Sequence, residues 1–97
     1  MRRIFTFFLT FLLGMFVTAL YAQTHTVSGT VIDKDANEPL IGANVLIKGT
    51  TIGTVTDLDG KYTLQAGDKD ILVFSYLSMK TIEEPVNGRT VINEKMT

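Results

Sequence analysis

The sequence contains no cysteine and only one histidine, His25, among its 97 residues. The lack of cysteine excludes disulfides, which small exported domains commonly use for stability, and it excludes a cysteine nucleophile. A zinc site takes three or four ligands, and a serine triad needs a histidine held by packing, whereas His25 lies just after an apolar N-terminal run. We therefore expect no enzyme activity, no catalytic residues and no cofactor.

Positive charge is scarce and scattered. Without residues 1–22, the chain keeps seven basic residues against ten acidic ones, a net charge of −3. Nucleic-acid binding needs clustered Lys or Arg to neutralise phosphates, so no nucleic-acid partner is expected. A chain of this length holds at most one domain.

The first 22 residues have a composition of their own. Arg2 and Arg3 precede a long uncharged apolar run that ends in small residues. This order predicts a helical, cleavable signal peptide over residues 1–22, followed by a domain over residues 23–97. Cleavage after Ala22 makes Gln23 the first residue, whereas cleavage after Ala19 places a more suitable residue at the −3 position.

A retained membrane helix is the alternative for the same segment. Residues 4–21 are 18 residues long, at the short end of what spans a bilayer. Small residues recur every four positions, as on helix-pairing faces, at Thr6, Thr10, Gly14 and Thr18. In both cases the remainder is exported, and membrane contact is expected only through residues 4–21 if they stay uncleaved.

After residue 22 the chain shows no helical periodicity. Short runs of apolar and β-branched residues alternate with turn signals, which predicts an all-β sandwich or barrel. Seven strands are expected, at residues 24–33, 43–49, 54–57, 61–66, 71–77, 80–86 and 90–96. The fifth is apolar on both faces and should be central, Pro85 marks an edge strand, and Asn87-Gly88-Arg89 indicates a hairpin.

The segment GTTIGTVTDLDGKYTL, residues 49–64, is the most distinctive in the chain. In its DLDG stretch, an aspartate accepts bonds from amides two residues on, and Gly60 supplies the positive φ that a bulged hairpin turn needs. We interpret five residues as a structural turn motif: Gly49, Gly53, Asp57, Asp59 and Gly60. A phosphate-binding loop is excluded, because the glycine spacing is one residue short and no lysine follows Gly53.

A weak calcium site is the alternative for the acidic turns. In DKDAN the acidic and amide residues alternate as in an EF-hand, but the loop lacks the glycine and glutamate required at its sixth and twelfth positions. Four carboxylates would supply the ligands if the two turns met in space: Asp33, Asp35, Asp57 and Asp59. We expect plain turns and no metal.

Two further groups of side chains favour packing or solvation over chemistry. Glu83 and Glu84 are neighbours, so on a strand they point to opposite faces and cannot cooperate as an acid and base. Tyr62, Phe74 and Tyr76 are compatible with a sugar-stacking platform, but their positions favour core packing.

The stretch GTVIDKDANEPLIGANVLIKGTTIGTVTDLDGKYTL closely resembles the carboxypeptidase-regulatory-like domain, and the likeness extends over residues 25–97. It rests on three motifs, carried by Gly29, Val31 and Asp33; by Glu38, Pro39, Leu40, Gly42, Ala43 and Val45; and by Gly49, Thr50, Gly53, Thr54, Thr56, Asp57, Asp59, Gly60, Tyr62 and Leu64. The resemblance implies a transthyretin-like, Greek-key β-sandwich of seven strands. The sequence departs from the family pattern at Ser78 and Met79, where most relatives carry glycine and an aromatic residue.

This version of the domain is similar to the N-terminal extension of starch-utilisation-type, TonB-dependent outer-membrane receptors. The resemblance implies a non-enzymatic periplasmic module of a glycan or peptide importer, with a protein partner in the outer-membrane uptake machinery. Because the sequence stops at Thr97, we expect either a receptor fragment or an autonomous exported domain. The alternative function is a stand-alone binding module for a glycan, a peptide or a cell-wall component.

Overall fold

The computed structural model describes residues 24–97, which form eight β-strands. They are β1 (Thr24–Asp33), β2 (Glu38–Pro39), β3 (Asn44–Ile47), β4 (Gly53–Val55), β5 (Lys61–Gly67), β6 (Ile71–Ser75), β7 (Ile82–Pro85) and β8 (Glu94–Met96). The expected signal peptide over residues 1–22 and the alternative membrane helix over residues 4–21 lie outside the described residues. Within residues 24–97, no helix is long and apolar enough to cross a bilayer.

The first sheet is built around β1. Along residues 24–30, β1 pairs antiparallel with β5, and near its end it pairs antiparallel with β2. Over residues 31–33 it also pairs in parallel with β8. A strand of ten residues thus supports three partners, and together the four strands form one layer.

The second sheet is antiparallel, in the order β4-β3-β6-β7. The interior position of β6 and the edge position of β7, which contains Pro85, confirm two predictions from the sequence. In β6 only Leu72 and Phe74 are fully buried, whereas Ile71 and Val73 are half-buried. The expected burial of both faces is therefore only partial, because the described part of the chain places no third layer over this sheet.

The core lies between the two sheets and follows the period of two along each strand. Pairs of residues two positions apart or four apart on one strand face are buried together: Val27 and Val31, Val45 and Ile47, and Tyr62 and Leu64. The other buried apolar side chains are Leu40, Ala43, Ala66, Leu72, Phe74, Val86, Ile92 and Met96. The rings of Tyr62 and Phe74 meet edge to face with centroids 5.6 Å apart, and Tyr76 packs against the core, as expected for packing residues.

Three features of the chain path differ from the expectation. Glu38–Pro39 forms the short strand β2, where no strand was expected, and the last strand is three residues long instead of seven. The predicted hairpin at residues 87–89 is wrong. Asn87 and Gly88 do adopt positive φ, and the Arg89 N–H donates to the Val86 carbonyl, but the chain then crosses to the other sheet to pair with β1.

A buried tyrosine fixes the place of that crossing. The Tyr62 hydroxyl donates a 2.6 Å hydrogen bond to the carbonyl of Ile92, and burial raises the pKa of Tyr62 well above its ordinary value. Beneath this contact lies Gly29, where an added Cβ would sit 1.8 Å from the same Ile92 oxygen. The close approach of two backbones therefore explains why a glycine occupies this interior strand position.

The departure from the family pattern at Ser78 has a structural counterpart. Ser78 has a φ of 67°, a left-handed conformation that costs a non-glycine residue about 1–2 kcal/mol. The next residue, Met79, is partly buried and packs against the core cluster. Glycine would adopt this turn without the steric cost, whereas methionine fills the adjoining space.

We expect Tyr62→Phe to lower the free energy of unfolding by about 1–3 kcal/mol, because the buried carbonyl of Ile92 would lose its side-chain donor. Chemical denaturation of the exported protein measures this loss. Tyr76→Phe is the matched control and should change stability little, since no hydrogen bond involves its hydroxyl among the described residues. Equal stability of the two variants would show that the Tyr62 bond contributes nothing.

Candidate functional site

The DLDG segment forms a tight turn between β4 and β5. One carboxylate oxygen of Asp57, Oδ1, accepts the N–H groups of Asp59 and Lys61, each at 2.9 Å. The backbone of Asp57 also pairs with Lys61, at 2.9 Å, and accepts the N–H of Gly60 at 3.0 Å. The turn thus uses Asp57 as an internal acceptor for its own amides.

The residue before this turn is anchored in the core. Thr56 is the one buried polar side chain among residues 24–97, with 3% of its surface exposed. Its hydroxyl donates to the carbonyl of Leu40 at 2.5 Å and accepts the N–H of Ala43 at 2.9 Å. These bonds tie the start of the turn to the loop between β2 and β3, so the turn has a fixed position.

A second acidic turn joins β1 to β2. Asp33 Oδ1 accepts the N–H groups of Asp35 at 2.9 Å and Ala36 at 3.2 Å, and Asn37 has a positive φ of 55°. The Asn37 N–H donates to the Asp33 carbonyl at 2.8 Å. This is the same chemistry as in the DLDG turn: an aspartate supplies the acceptor for successive amides.

The two acidic turns do not assemble into a metal centre in the described part of the chain. No group of three or more His, Cys, Asp or Glu side chains within residues 24–97 is placed to hold an ion. Asp33 and Asp57 each commit one oxygen to two backbone amides, while Asp35 and Asp59 are exposed. In this arrangement the carboxylates order the backbone.

The three glycines of the motif have different surroundings. Gly49 and Gly60 both adopt positive φ, 81° and 74°, but only Gly60 is confined: an added Cβ would lie 2.6 Å from the carbonyl of Val31. Gly53 lies within β4 and not in a turn. There an added Cβ would come within 2.4 Å of the Leu46 side chain, so close packing accounts for that glycine.

A pair of carboxylates that sequence reasoning missed joins the two sheets. Burial, reinforced by hydrogen bonding to Glu84 and by its negative charge, raises the pKa of Glu94 to about 7. Hydrogen bonds from Arg89, at 2.8 Å, and from Glu94 keep the pKa of Glu84 below its ordinary value. The partner of Glu84 is thus Glu94, ten residues away and in another sheet, and not its neighbour Glu83. No local sequence signal marks such a pair.

Arg89 has a second role as the residue that organises the loop after β7. Its guanidinium also donates to the carbonyls of Pro85 and Val86, the latter at 3.1 Å. Its own carbonyl accepts the His25 Nε2 proton at 2.9 Å, and His25 Nδ1 lies 3.3 Å from Asp68. Both nitrogens of the imidazole are therefore engaged in structural contacts, and His25 lies within β1, not on a loose terminus.

Two shallow cavities adjoin on the first sheet and share Thr30 and Asn93. One, of about 250 Å³, is also lined by Ser28, Gly29, Lys61, Tyr62, Thr63 and Val91. The other, of about 280 Å³, is also lined by Ile32, Glu94 and Lys95. Hydroxyl, amide and ammonium groups of this kind can hydrogen-bond a polar ligand, but they do not combine a nucleophile with a free base.

Comparison with known proteins assigns the domain. The profile of the CarboxypepD_reg-like domain matches residues 27–97, nearly all of the described chain. The protein belongs to this family. The resemblance seen in the sequence is therefore confirmed, and the family is a non-catalytic one.

The relatives of this CarboxypepD_reg-like domain are long receptors. The chain is 47% identical over 74 residues to the TonB-dependent receptor SusC of Bacteroides thetaiotaomicron, and the matched segment covers 75% of this chain. It is 46% identical over 79 residues to TonB-dependent receptor P39 of Formosa agariphila, and 40% identical over 83 residues to receptor P3 of the same organism, covering 79% and 84% of this chain. The chain spans only 7–8% of the length of these relatives and matches the N-terminal region of the SusC type.

Gly60→Ala should destabilise the domain more than Gly49→Ala. Both changes place a side chain at positive φ, at a cost of about 1–2 kcal/mol. Only Gly60→Ala adds a clash with the Val31 carbonyl, which should cost about 1–3 kcal/mol more. Thermal and denaturant unfolding of the two variants measure the difference, and equal losses would mean that the Gly60 turn has room to move.

Stability should fall as the pH rises from about 4.5 to 7. The folded state keeps the Glu94 proton in this window, where the unfolded state has lost it, so the folded state binds more protons. Above pH 7 the folded protein carries an ionised Glu94 beside Glu84. Glu94→Gln removes this penalty and should stabilise the protein at pH 8 by about 1 kcal/mol, a value reduced from the full shift because Glu94 is partly exposed to water.

At pH 5 the Glu94→Gln variant and the parent should be nearly equal in stability, since Glu94 is then protonated in the folded state. Glu83→Gln is the control, because Glu83 pairs with Lys48 at 3.1 Å and is not part of the carboxylate pair. It should leave the fall in stability between pH 4.5 and 7 in place. The same fall in the Glu94→Gln protein would mean that another group causes it.

Proposed function

We propose that this chain is an exported, non-enzymatic accessory domain of a TonB-dependent nutrient receptor and acts through protein contacts in the periplasm. The match of residues 27–97 to the family, together with relatives named as TonB-dependent receptors, is the observation that supports it. On this proposal residues 1–22 are the signal peptide, and the receptor imports a glycan or a peptide across the outer membrane. The core is a Greek-key sandwich of the transthyretin type, to which β2 is a short addition.

The side chains of the domain support a role in binding another protein better than a role in catalysis. The pKa values of Tyr62, Glu84 and Glu94 depart from their ordinary values, and each of these groups is held by a neighbour in the fold. His25 is engaged at both ring nitrogens. The partner on this proposal belongs to the outer-membrane uptake machinery.

A domain exchange tests the role. In the SusC receptor of B. thetaiotaomicron, the matching N-terminal segment is deleted in one strain and replaced by residues 27–97 of this chain in another. Growth on the nutrient that the receptor imports should fall on deletion and be restored by the replacement, with receptor abundance measured in each strain. A replacement that behaves like the deletion, or a deletion without effect on growth, would contradict the proposal.

Export is tested separately with the full chain. N-terminal sequencing of material from the periplasm should give Gln23 or Leu20 as the first residue, after cleavage at Ala22 or Ala19. An intact Met1 in the membrane fraction would instead show that residues 4–21 are retained as an anchor.

The adjoining cavities on the first sheet favour a second candidate, a stand-alone binding module. Their lining combines hydroxyls, the amide of Asn93, two lysine ammonium groups and the carboxyl of Glu94, which suits a polar ligand such as a glycan. NMR titration with a soluble oligosaccharide should then shift the resonances of Thr30 and Asn93. Shifts there, with no effect of the domain exchange on growth, would favour the binding module.

A further inference from the structure

The edges of the two sheets differ in how they are protected. Exposed strand edges invite pairing with other chains, and natural proteins block them with charged side chains, proline or local covers. β2 consists of Glu38 and Pro39, β7 contains two glutamates and Pro85, and β8 carries Glu94 and Lys95. Three of the edge strands thus carry the usual protection.

The long strand β5 is protected in another way. Its outward backbone groups at one end, on Lys61, are bonded to Asp57. Those at the other end, on Gly67, are bonded to Asp70: the Gly67 N–H donates to the carboxylate at 2.7 Å, and the Asp70 N–H donates to the Gly67 carbonyl at 3.1 Å. The two aspartates therefore occupy both ends of this edge, and an added strand could bond only between them, at Thr63 and Gln65.

β4 lacks each of these devices within residues 24–97. The strand is Gly53-Thr54-Val55, and the eight residues from Gly49 to Thr56 contain no charge and no proline. Val55 has 56% of its surface exposed, and Leu46, which lies opposite Gly53 on β3, has 37% exposed. An uncharged edge bordered by exposed aliphatic side chains is the arrangement that favours strand addition.

The backbone of β4 shows which groups are open. The Ile52 carbonyl accepts the N–H of Ile47 at the end of β3, and both backbone groups of Thr56 bond to Gly42 and Ala43, just before β3. Because backbone groups alternate between the two edges of a strand, Thr54 also faces β3, and the N–H and carbonyl of Gly53 and Val55 face outward. Four outward groups thus lie on two residues, one on each side of Thr54.

We propose that β4 pairs antiparallel with β4 of a second copy of this chain, across a two-fold axis at Thr54. In this register Gly53 lies opposite Val55 of the second copy and forms a hydrogen-bonded pair with it, and the second such pair follows by symmetry. The two pairs use all four outward groups of each strand. The second sheets of the two copies would join into one sheet of eight strands.

The side chains of β4 fit this occupant. Val55 projects from the same face of the sheet as Leu46, and the glycine opposite Val55 has no side chain to separate the two. Leu46 already lies over Gly53, 2.4 Å from the position of an added Cβ, so Val55 of the second copy would contact Leu46. No charged residue between Gly49 and Thr56 repels the second copy.

Disulfide trapping tests the register. Because the chain contains no cysteine, an introduced cysteine is the only one that can form a disulfide. Thr54 would lie opposite its own copy in a non-hydrogen-bonded pair, with a Cα separation of about 4.5 Å, within the range that a disulfide bridges. Under mild oxidation of the exported full chain, Thr54→Cys should form a covalent dimer at least tenfold faster than Val55→Cys or Thr63→Cys. Equal rates at the three positions would indicate random collision and overturn the proposal.

A second pair of variants tests the backbone bonds without cysteine. Val55→Pro removes an outward N–H but no bond to β3, so the variant should keep its fold, which far-ultraviolet circular dichroism checks. It should weaken dimerisation at least tenfold in sedimentation equilibrium, whereas the matched control Val55→Thr keeps the N–H and should weaken it much less. A parent protein that remains monomeric up to about 1 mM, the weak end of specific association, or a dimer unaffected by Val55→Pro, would overturn the proposal.

Discussion

The arrangement of the sandwich depends on the place where the chain crosses back from the second sheet to the first. At that point the buried Tyr62 hydroxyl bonds to the Ile92 carbonyl, and Gly29 lets the two backbones approach. In a chain without cysteine, no covalent link can hold this crossing, so its position rests on packing and on this hydrogen bond. The register of β8, and with it the site of Glu94, follows from where the crossing is fixed.

Much of the fold could be predicted from local pattern. The alternation of buried and exposed residues in β1, β3 and β5 appears directly in the sequence, because each strand buries one face. The last strand could not be predicted in the same way. Its parallel pairing with β1 joins the two ends of the described chain, and Asn87-Gly88 has the backbone of a tight turn whether the next strand returns beside β7 or crosses over.

The candidate sites differ in the same way: the local sequence predicts one of them, and the other depends on residues that are distant in sequence. The Asp57 turn is built from groups within five residues, so the local sequence predicts its hydrogen bonds. Its hydrogen-bond geometry matches that of the Asp33 turn. The pairing of Glu84 with Glu94 depends on two sheets and on the loop of Arg89, and no spacing in the sequence indicates it. Glu83 and Glu84 point to opposite sides because they are neighbours on a strand. Their adjacency in the sequence therefore does not predict a carboxylate pair, and no sequence pattern marks Glu94 as the partner of Glu84.

The acidic residues of this domain therefore act first on its own backbone. Asp57 and Asp70 satisfy the amides at the two ends of the β5 edge, and Glu84 fixes the arginine that orders the loop after β7. Carboxylates used in this way protect edges from unwanted strand pairing while the net charge stays small. β4 is left as the edge without such protection among residues 24–97, and that contrast is the reason why we propose this strand for pairing with a second copy of the chain.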